Sequence, residues 1–318
     1  MSVSGQSCED FLSQADQFQL GYLWTEKPHP KTIGLSQLIN LNPHEAINGF
    51  VTVDQEMLAF LTTKSCEVSD LSQRIQACFE RGGRLFLSGC GATGRLSLVL
   101  ENLWRQQHID PAKADQVIGF MAGGDLALIH SIEKFEDYPD YGRRQLRELG
   151  FGPRDLLLAS TEGGETPWVI GTALEAISLG GECTFLYCNP KDLLEKSLER
   201  CQQIFKEDKI HKIELACGPQ ALTGSTRLQA SSILTATIGM ALFYPCHAAK
   251  MEEQLNQLKD WYLQLDHHKM IALIQKEAEL YKRGDYVYYT PSQHLAISVL
   301  TDTTERSPTF NLRGFDNK

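Results

Sequence analysis

The middle of the chain is built from short apolar runs that alternate with amphipathic stretches. The runs lie at 84–89, 116–124, 155–161, 183–189 and 212–218, and the amphipathic stretches lie at 95–107, 139–149, 167–179 and 191–205. Continuous apolar runs are typical of strands that are buried on both faces, and helices between such strands make the strands parallel. The pattern therefore predicts an α/β fold, a flavodoxin-like αβα sandwich around a parallel sheet.

The segments on both sides of this region show a different spacing of apolar residues. Apolar residues recur at helical spacing between Pro43 and Arg81, and two glycines follow as a helix stop. A long apolar helix is expected after Arg227, and Pro245 stops it. Two further helices are expected at 247–265 and 267–282. The first forty residues are polar and interrupted by prolines, which predicts an arm packed on the domain.

Composition excludes several classes of protein. The 318 residues are 42% hydrophobic and 22% charged with a net charge of −10, so bulk nucleic-acid binding, which needs a basic surface, is excluded. The sequence contains no apolar run of membrane-spanning length and no signal-peptide pattern. The nine cysteines form no CxxC pair, and most lie in apolar runs. We therefore expect buried free thiols, a reducing cytoplasmic location, no metal and no cofactor.

A glycine-rich loop follows the first predicted strand, in the segment "LFLSGCGATGRLS". Backbone N–H groups at the start of a helix favour an anion, so Gly91, Ala92, Thr93 and Gly94 are candidate ligand contacts. The spacing also matches the dinucleotide fingerprint, but the next predicted strand lacks the acidic residue that would hold a ribose. A glycine turn that serves only the packing of strand and helix is the remaining alternative.

Two more loops that are rich in glycine and hydroxyl groups follow later strands. "ASTEGGETPWVIG" offers Thr161, Gly163 and Thr166, and "GPQALTGSTRLQ" offers a second set, which consists of Ser225, Thr226 and Arg227. Hydroxyl and N–H groups bind phosphate, and an arginine can grip phosphate with two hydrogen bonds. The alternatives are a capping loop for the first and an ordinary helix cap with a surface arginine for the second. Three such loops at strand ends of one sheet together predict an anion site.

Glu136, in "HSIEKFEDYPDYG", is the candidate acid or base, or a plain hydrogen-bond acceptor. The neighbouring Glu133 and Asp137 are expected to be solvated.

These motifs, in this order, resemble those of the N-acetylmuramic acid 6-phosphate etherases and of the glucokinase regulatory protein, which carry SIS domains. The family's GAGTSGR, AGG, VEGAED, AASGRTPYV and TGSTR correspond here to "GCGATGR", "AGG", "IEKFED", "STEGGETPWV" and "TGSTRLQ". "TEKPHPKT", from residue 25, is similar to the start of the family pattern. The resemblance covers residues 25–245 and implies a sugar-phosphate ligand, with Glu162 and Glu165 facing sugar hydroxyls or solvent.

The chain departs from the etherase pattern at one functional glutamate. Glu136 matches the glutamate of the VEGAED motif, but the other glutamate, nine residues after Gly94, is here Leu103. The lysine that usually follows TGSTRL is Gln229. Because leucine cannot transfer a proton, the resemblance implies binding or regulation more than ether cleavage.

The tail resembles the beginning of a second SIS unit. "DTTERSPTF" is similar to the etherase stretch DASECPPTY, which gives Glu305 the role that Leu103 lacks. We therefore expect an N-terminal arm at 1–45, a first SIS domain at 46–245 and a helical connector at 246–283. The beginning of a second, incomplete SIS-like unit is expected at 284–318, in a chain that is cut short.

Three functions remain open on this basis. The first is a phosphosugar-sensing regulator of a sugar kinase or another protein. The second is an etherase or phosphosugar isomerase that uses Glu136 and Glu305. The third is a structural oligomerisation module. In each case we expect a dimer, or a pseudo-dimer of two SIS halves, that binds neither nucleic acid nor membrane.

Overall fold

The computed structural model describes residues 8–12, 20–128, 135–222 and 228–287. Its centre is one parallel sheet with the strand order β2-β1-β3-β4-β5. The strands are β1 (Leu85–Gly89), β2 (Val117–Met121), β3 (Leu156–Thr161), β4 (Glu182–Tyr187) and β5 (Ile210–Glu214). The predicted α/β class and flavodoxin-like arrangement are confirmed, since this order is that of the flavodoxin-like folds.

Thirteen helices are present in the described part of the chain. They are α1 (Cys8–Leu12), α2 (Leu35–Leu41), α3 (Pro43–Thr62), α4 (Ser65–Glu80), α5 (Gly91–Gln107), α6 (Pro111–Ala114), α7 (Pro139–Glu148), α8 (Pro167–Ser178), α9 (Lys191–Ser197), α10 (Glu199–Lys206), α11 (Leu228–Phe243), α12 (Ala248–Gln264) and α13 (Lys269–Arg283). Short 3-10 turns lie at Trp24–Glu26, Pro30–Thr32 and Gly124–Leu128. The helix predicted at 191–205 is two helices, because Leu198 adopts an extended backbone between them.

Helices cover both faces of the sheet because successive strand residues point to opposite sides. Leu85 and Leu87 belong to a core with α3, α4, α5, α11 and α12. Phe86 faces the other side and belongs to a core with α8, α10 and the buried Leu23 of the arm. Leu23, within the predicted N-terminal arm, is thus part of the domain core.

The domain boundaries proposed from the sequence stay predictions. Met251 and Leu255 of α12, in the predicted connector, are buried in the same core as α4 and α11. Most of the predicted second unit, residues 288–318, lies outside the described residues, and Glu305 lies there with it. None of the helices that the structure describes is long and apolar enough to span a membrane.

All nine cysteines are free thiols, and four are buried. Burial raises the pKa of Cys78 to about 11 and that of Cys201 to about 12. Burial also raises the pKa of Cys183 and Cys188. The buried free thiols expected from the sequence are confirmed at these four positions, whereas Cys8 and Cys66 are exposed.

Replacement of Gly94 tests how tightly α5 packs on the sheet. A Cβ there would lie 2.4 Å from the Cβ of Met121, so Gly94→Ala should lower the free energy of unfolding by about 3 kcal/mol, the upper end of the cost of overpacking. Gly239→Ala is the matched control in α11, because its Cβ would meet nothing closer than 3.7 Å and alanine favours a helix by about 0.5–1 kcal/mol. Urea unfolding of both variants measures the difference, and equal stabilities would contradict this packing.

Candidate functional site

The candidate site lies where the chain reverses its winding across the sheet. β1 connects through α5 to β2 on one side, and β3 connects through α8 to β4 on the other, although β1 and β3 are paired neighbours. Ligands in open parallel sheets bind beyond the carboxyl ends of the strands at such a switch point. The structure brings the first and second predicted loops together there, because they follow β1 and β3.

The first loop is a compact helix cap. The Thr93 hydroxyl accepts a hydrogen bond from Cys90 N (3.0 Å) and donates one to the Cys90 carbonyl (2.9 Å). Gly91 begins α5 with a φ of +50°, a conformation that favours glycine. The predicted contacts Gly91, Ala92, Thr93 and Gly94 thus form the first turn of one helix. The hydroxyl proton of Thr93 is donated to the Cys90 carbonyl. Contact between Thr93 and a ligand stays a prediction.

The second loop is held by hydrogen bonds between its own members. The hydroxyls of Thr161 and Thr166 lie 3.0 Å apart, and Gly164 N donates to Thr161 Oγ1 (3.1 Å). Thr166 Oγ1 in turn donates to the carboxylate of Glu165 (3.3 Å). Gly163 is buried, and a Cβ there would lie 3.0 Å from that carboxylate. The loop is therefore preorganised, and its hydroxyl protons are directed inward.

Two glutamates of the second loop are buried, so the solvent-facing option for them is wrong. Glu162 is 6% exposed and Glu165 is 8% exposed. The carboxylate of Glu162 accepts a hydrogen bond from Ser231 in the first turn of α11. Buried carboxylates repel a phosphate and accept hydrogen bonds from hydroxyl groups. This loop is therefore chemically suited to the sugar part of a ligand.

Glu136 lies beside the second loop. Its backbone carbonyl accepts a hydrogen bond from Trp168 N (2.9 Å) in the first turn of α8, and the residue is exposed. Leu103 is half-buried in α5. The part that Glu136 plays in proton transfer stays a prediction.

The third loop is described only at its flanks, because Ser225, Thr226 and Arg227 lie outside the described residues. On its far side Gln229 is fully buried, and its Oε1 accepts from Ala221 N (2.8 Å). Gln229 Nε2 donates to Asp54 of α3 (2.6 Å), and the Asp54 carboxylate also accepts from Tyr262 of α12 (2.5 Å). Burial, followed by the hydrogen bond to Asp54, raises the pKa of Tyr262, which therefore stays a donor at neutral pH.

Sequence patterns missed the residues that support these loops. Asn189, after β4, and Gln220, after β5, are fully buried. Asn189 donates to the Gly163 carbonyl of the second loop, and Gln220 accepts from Ala230 N in α11. A polar residue just after a buried strand was the available signal, but its partners are distant in sequence. Among the residues that the structure describes, no cluster of three or more His, Cys, Asp or Glu side chains could hold a metal ion.

The arrangement favours an anion at the start of α5. That helix has no acidic residue in its first turn, and Arg95 is buried in its second turn. The positive end of a helix dipole and a nearby guanidinium both favour negative charge. The site therefore combines an anion-binding helix end with an acceptor-rich loop beside it.

Comparison with known proteins gives a family match over part of the chain. Residues 67–178 match the model of the glucokinase regulatory protein N-terminal SIS domain. The matched segment runs from α4 to the end of α8 and contains the first and second loops. The resemblance inferred from the sequence motifs is thereby confirmed.

The chain is also similar to N-acetylmuramic acid 6-phosphate etherases. The chain is 32% identical over 221 residues to the N-acetylmuramic acid 6-phosphate etherase of Synechococcus elongatus, which covers 67% of this chain and 64% of that protein. It is 32% identical over 223 residues to the etherase of Lactococcus lactis, with 67% and 66% covered. The chain thus spans slightly less than two thirds of each relative. A solved structure, the tagatose-6-phosphate ketose/aldose isomerase of Escherichia coli, matches with a TM-score of 0.47, 11% identity, and 79% of this chain and 60% of that chain covered.

Gln229 is the residue whose replacement tests the support of the third loop. Gln229→Leu removes both hydrogen bonds and leaves the buried Ala221 N–H without its acceptor, so we expect a loss of about 2–4 kcal/mol in the free energy of unfolding. Gln229→Lys keeps a donor for Asp54 and should lose about 1–2 kcal/mol. Urea denaturation distinguishes the two variants, and an equal loss in both would contradict a separate contribution from Asp54.

Proposed function

From its kinship with the N-acetylmuramic acid 6-phosphate etherases and with the N-terminal SIS domain of the glucokinase regulatory protein, we propose that this chain is a sugar-phosphate-binding regulator. The juxtaposition of the first and second loops at the β1–β3 switch point is the observation that carries the proposal. The ligand's phosphate binds at the start of α5, and its sugar hydroxyls face the second loop. This orientation is supported by the two buried glutamates in the second loop and by the absence of acidic residues in the first turn of α5.

Leu103 supports regulation over catalysis. Ether cleavage by elimination needs one group that removes a proton and another that protonates the leaving oxygen. One of the two glutamates of the etherase pattern is leucine here, and leucine can supply neither group. The bound phosphosugar then acts by changing the affinity of the protein for a partner, such as a sugar kinase. The predicted contacts of Ser225, Thr226 and Arg227 with the phosphate, and the dimeric or pseudo-dimeric assembly, belong to the same proposal.

Thermal unfolding in the presence of phosphosugars tests the binding. A ligand at a hundred times its dissociation constant should stabilise the protein by about 2.7 kcal/mol. The panel contains N-acetylmuramic acid 6-phosphate, glucose 6-phosphate and glucosamine 6-phosphate, with the same sugars without phosphate and inorganic phosphate as controls. A rise in melting temperature with the phosphosugars alone is expected. An unchanged melting temperature across the panel would favour a structural module instead.

Alkylation of Cys90 locates the site. Cys90 is half-buried and lies at the N-cap of α5, where the phosphate is proposed to bind. We expect a phosphosugar that raises the melting temperature to slow the reaction of Cys90 with iodoacetamide, as followed by peptide mass spectrometry. The exposed Cys8 and Cys66 are internal controls whose rates should not change. A ligand that stabilises the protein and leaves Cys90 equally reactive would argue for a different site.

An etherase is the second candidate, because the relatives at 32% identity carry that name. In that case Glu136 and Glu305 share the proton transfers. Release of the ether-linked lactyl group from N-acetylmuramic acid 6-phosphate measures this activity. Turnover by the wild type that is lost in Glu136→Gln and in Glu305→Gln supports the enzyme and contradicts the regulator. No turnover, or equal turnover in all three proteins, contradicts the enzyme.

A further inference from the structure

The motif "TEKPHPKT" at residues 25–32, which we call the strap, has no part in the site described so far. The strap lies across the carboxyl ends of β4 and β5, on the same edge of the sheet as the candidate site. Thr25 is fully buried and Thr32 is 6% exposed, whereas Lys27 and Pro28 between them are exposed. Leu23, just before the strap, is fully buried in the core with α8. The strap is therefore anchored at both ends and exposed in its middle.

Asn189 joins the strap to the second loop. Its Oδ1 accepts from Thr25 N (3.2 Å), and its Nδ2 donates to Thr25 Oγ1 (2.9 Å) and to the Gly163 carbonyl (2.9 Å). Reversing this amide would set its oxygen against the Gly163 carbonyl, so the orientation is fixed by its partners. A fully buried side chain thus connects the strap directly to a backbone group of a predicted ligand contact.

The strap also pairs with the segment that leads into the third loop. Gln220 N donates to the Lys27 carbonyl (3.0 Å), and His29 N donates to the Gln220 carbonyl (2.7 Å). Thr32 Oγ1 donates to the Ala221 carbonyl (2.9 Å) and lies 3.1 Å from the His29 carbonyl. Ala221 is two residues before Thr223, where the TGSTR motif begins. One short segment therefore contacts the second loop through Asn189 and directly holds the backbone that leads into the third loop.

The middle of the strap is exposed, and the described contacts that hold it are specific hydrogen bonds and ion pairs. Besides the hydrogen bonds above, Lys31 and His29 pair with the half-exposed Glu56 of α3, and exposed ion pairs of this kind contribute little. Segments with few buried contacts open locally at a lower free energy than the whole domain. Opening of the strap removes both hydrogen bonds between Asn189 and Thr25, and with them the support of the amide that donates to Gly163. It also removes the contacts at Gln220 and Ala221.

We infer that strap docking and phosphosugar binding are coupled, so that residues 25–32 act as a positioning element for the second loop and for the segment that leads into the third loop. This inference rests on the proposed sugar-phosphate function. A ligand that binds the loops in their docked arrangement stabilises the docked strap. By linkage, the factor by which the ligand favours the docked strap is also the factor by which undocking of the strap lowers the affinity for the ligand. The threonines act through the loop backbones and do not themselves contact the ligand.

Replacement of the two buried threonines by valine tests the inference in the full chain. The Thr25→Val, Thr32→Val double variant keeps the side-chain shape and removes both hydroxyl groups of the strap. We expect the dissociation constant for N-acetylmuramic acid 6-phosphate or glucose 6-phosphate to rise about tenfold, since each lost hydrogen bond accounts for a several-fold change. The Thr25→Ser, Thr32→Ser variant restores the hydroxyls and should restore affinity.

Thr62→Val is the matched control for a general loss of stability. Thr62 Oγ1 donates to the Leu58 carbonyl of its own helix α3 (3.0 Å) and has no contact with the strap, so its replacement should leave the dissociation constant unchanged. Equal affinity in the wild type and the Thr25→Val, Thr32→Val variant would overturn the coupling while the proposed function stands. Wild-type protein that binds no phosphosugar would overturn both.

Trypsin cleavage after Lys31 gives a readout that a purely structural role would not change. Lys31 is exposed within the strap, whereas the Lys27–Pro28 bond resists trypsin because proline follows the lysine. We expect the phosphosugar to slow cleavage after Lys31 in the wild type, and to slow it less in the Thr25→Val, Thr32→Val variant. Inorganic phosphate, which lacks the sugar that would face the second loop, should protect less than the phosphosugar. Cleavage at the same rate with and without a bound phosphosugar would overturn the inference.

Discussion

The close approach of the first turn of α5 to the ends of β1 and β2 is the constraint on which the site depends. A Cβ at Gly89 would lie 2.4 Å from Thr93, and a Cβ at Gly94 would lie 2.4 Å from Met121. Because both positions are glycine, the helix begins directly at the strand ends, and the Thr93 hydroxyl can reach Cys90. Two of the three glycines of the dinucleotide-like spacing are therefore explained by packing, with no nucleotide required.

The same close packing determines which groups are left to recognise a ligand. Thr161 and Thr166 were expected to offer their hydroxyl groups to phosphate, but their protons, like that of Thr93, have acceptors within the protein. Recognition of an anion then falls to the helix end and its backbone N–H groups. The buried carboxylates of Glu162 and Glu165 exclude phosphate from the second loop and favour hydroxyl groups. In the proposed complex, the two loops thus face chemically different parts of one ligand.

The fold could be predicted from the sequence because the three central strands, β1, β3 and β4, are almost entirely buried and every crossover contains a helix. The break at Leu198 could not be predicted, since Leu194, Leu198 and Cys201 keep helical spacing across it. The two loops were found from their residue types, but their supports were missed because the partners are far apart in the chain. Asn189 contacts Thr25 from 164 positions away, and no local pattern encodes that pairing.

Binding a sugar phosphate and catalysing its conversion require different groups on this scaffold. Holding needs the two loops and the buried residues that fix their backbones, and these supports lie largely outside the 67–178 segment that matches the family model. The arm, α3, α11 and α12 all contribute to the segments around the third loop. Transformation needs, in addition, a group that protonates the leaving oxygen. Leu103 stands where the etherase pattern has one of its two glutamates, and this exchange alters none of the described contacts that hold the loops. A scaffold of this kind can therefore lose a proton-transfer group and keep the loops that would hold a ligand.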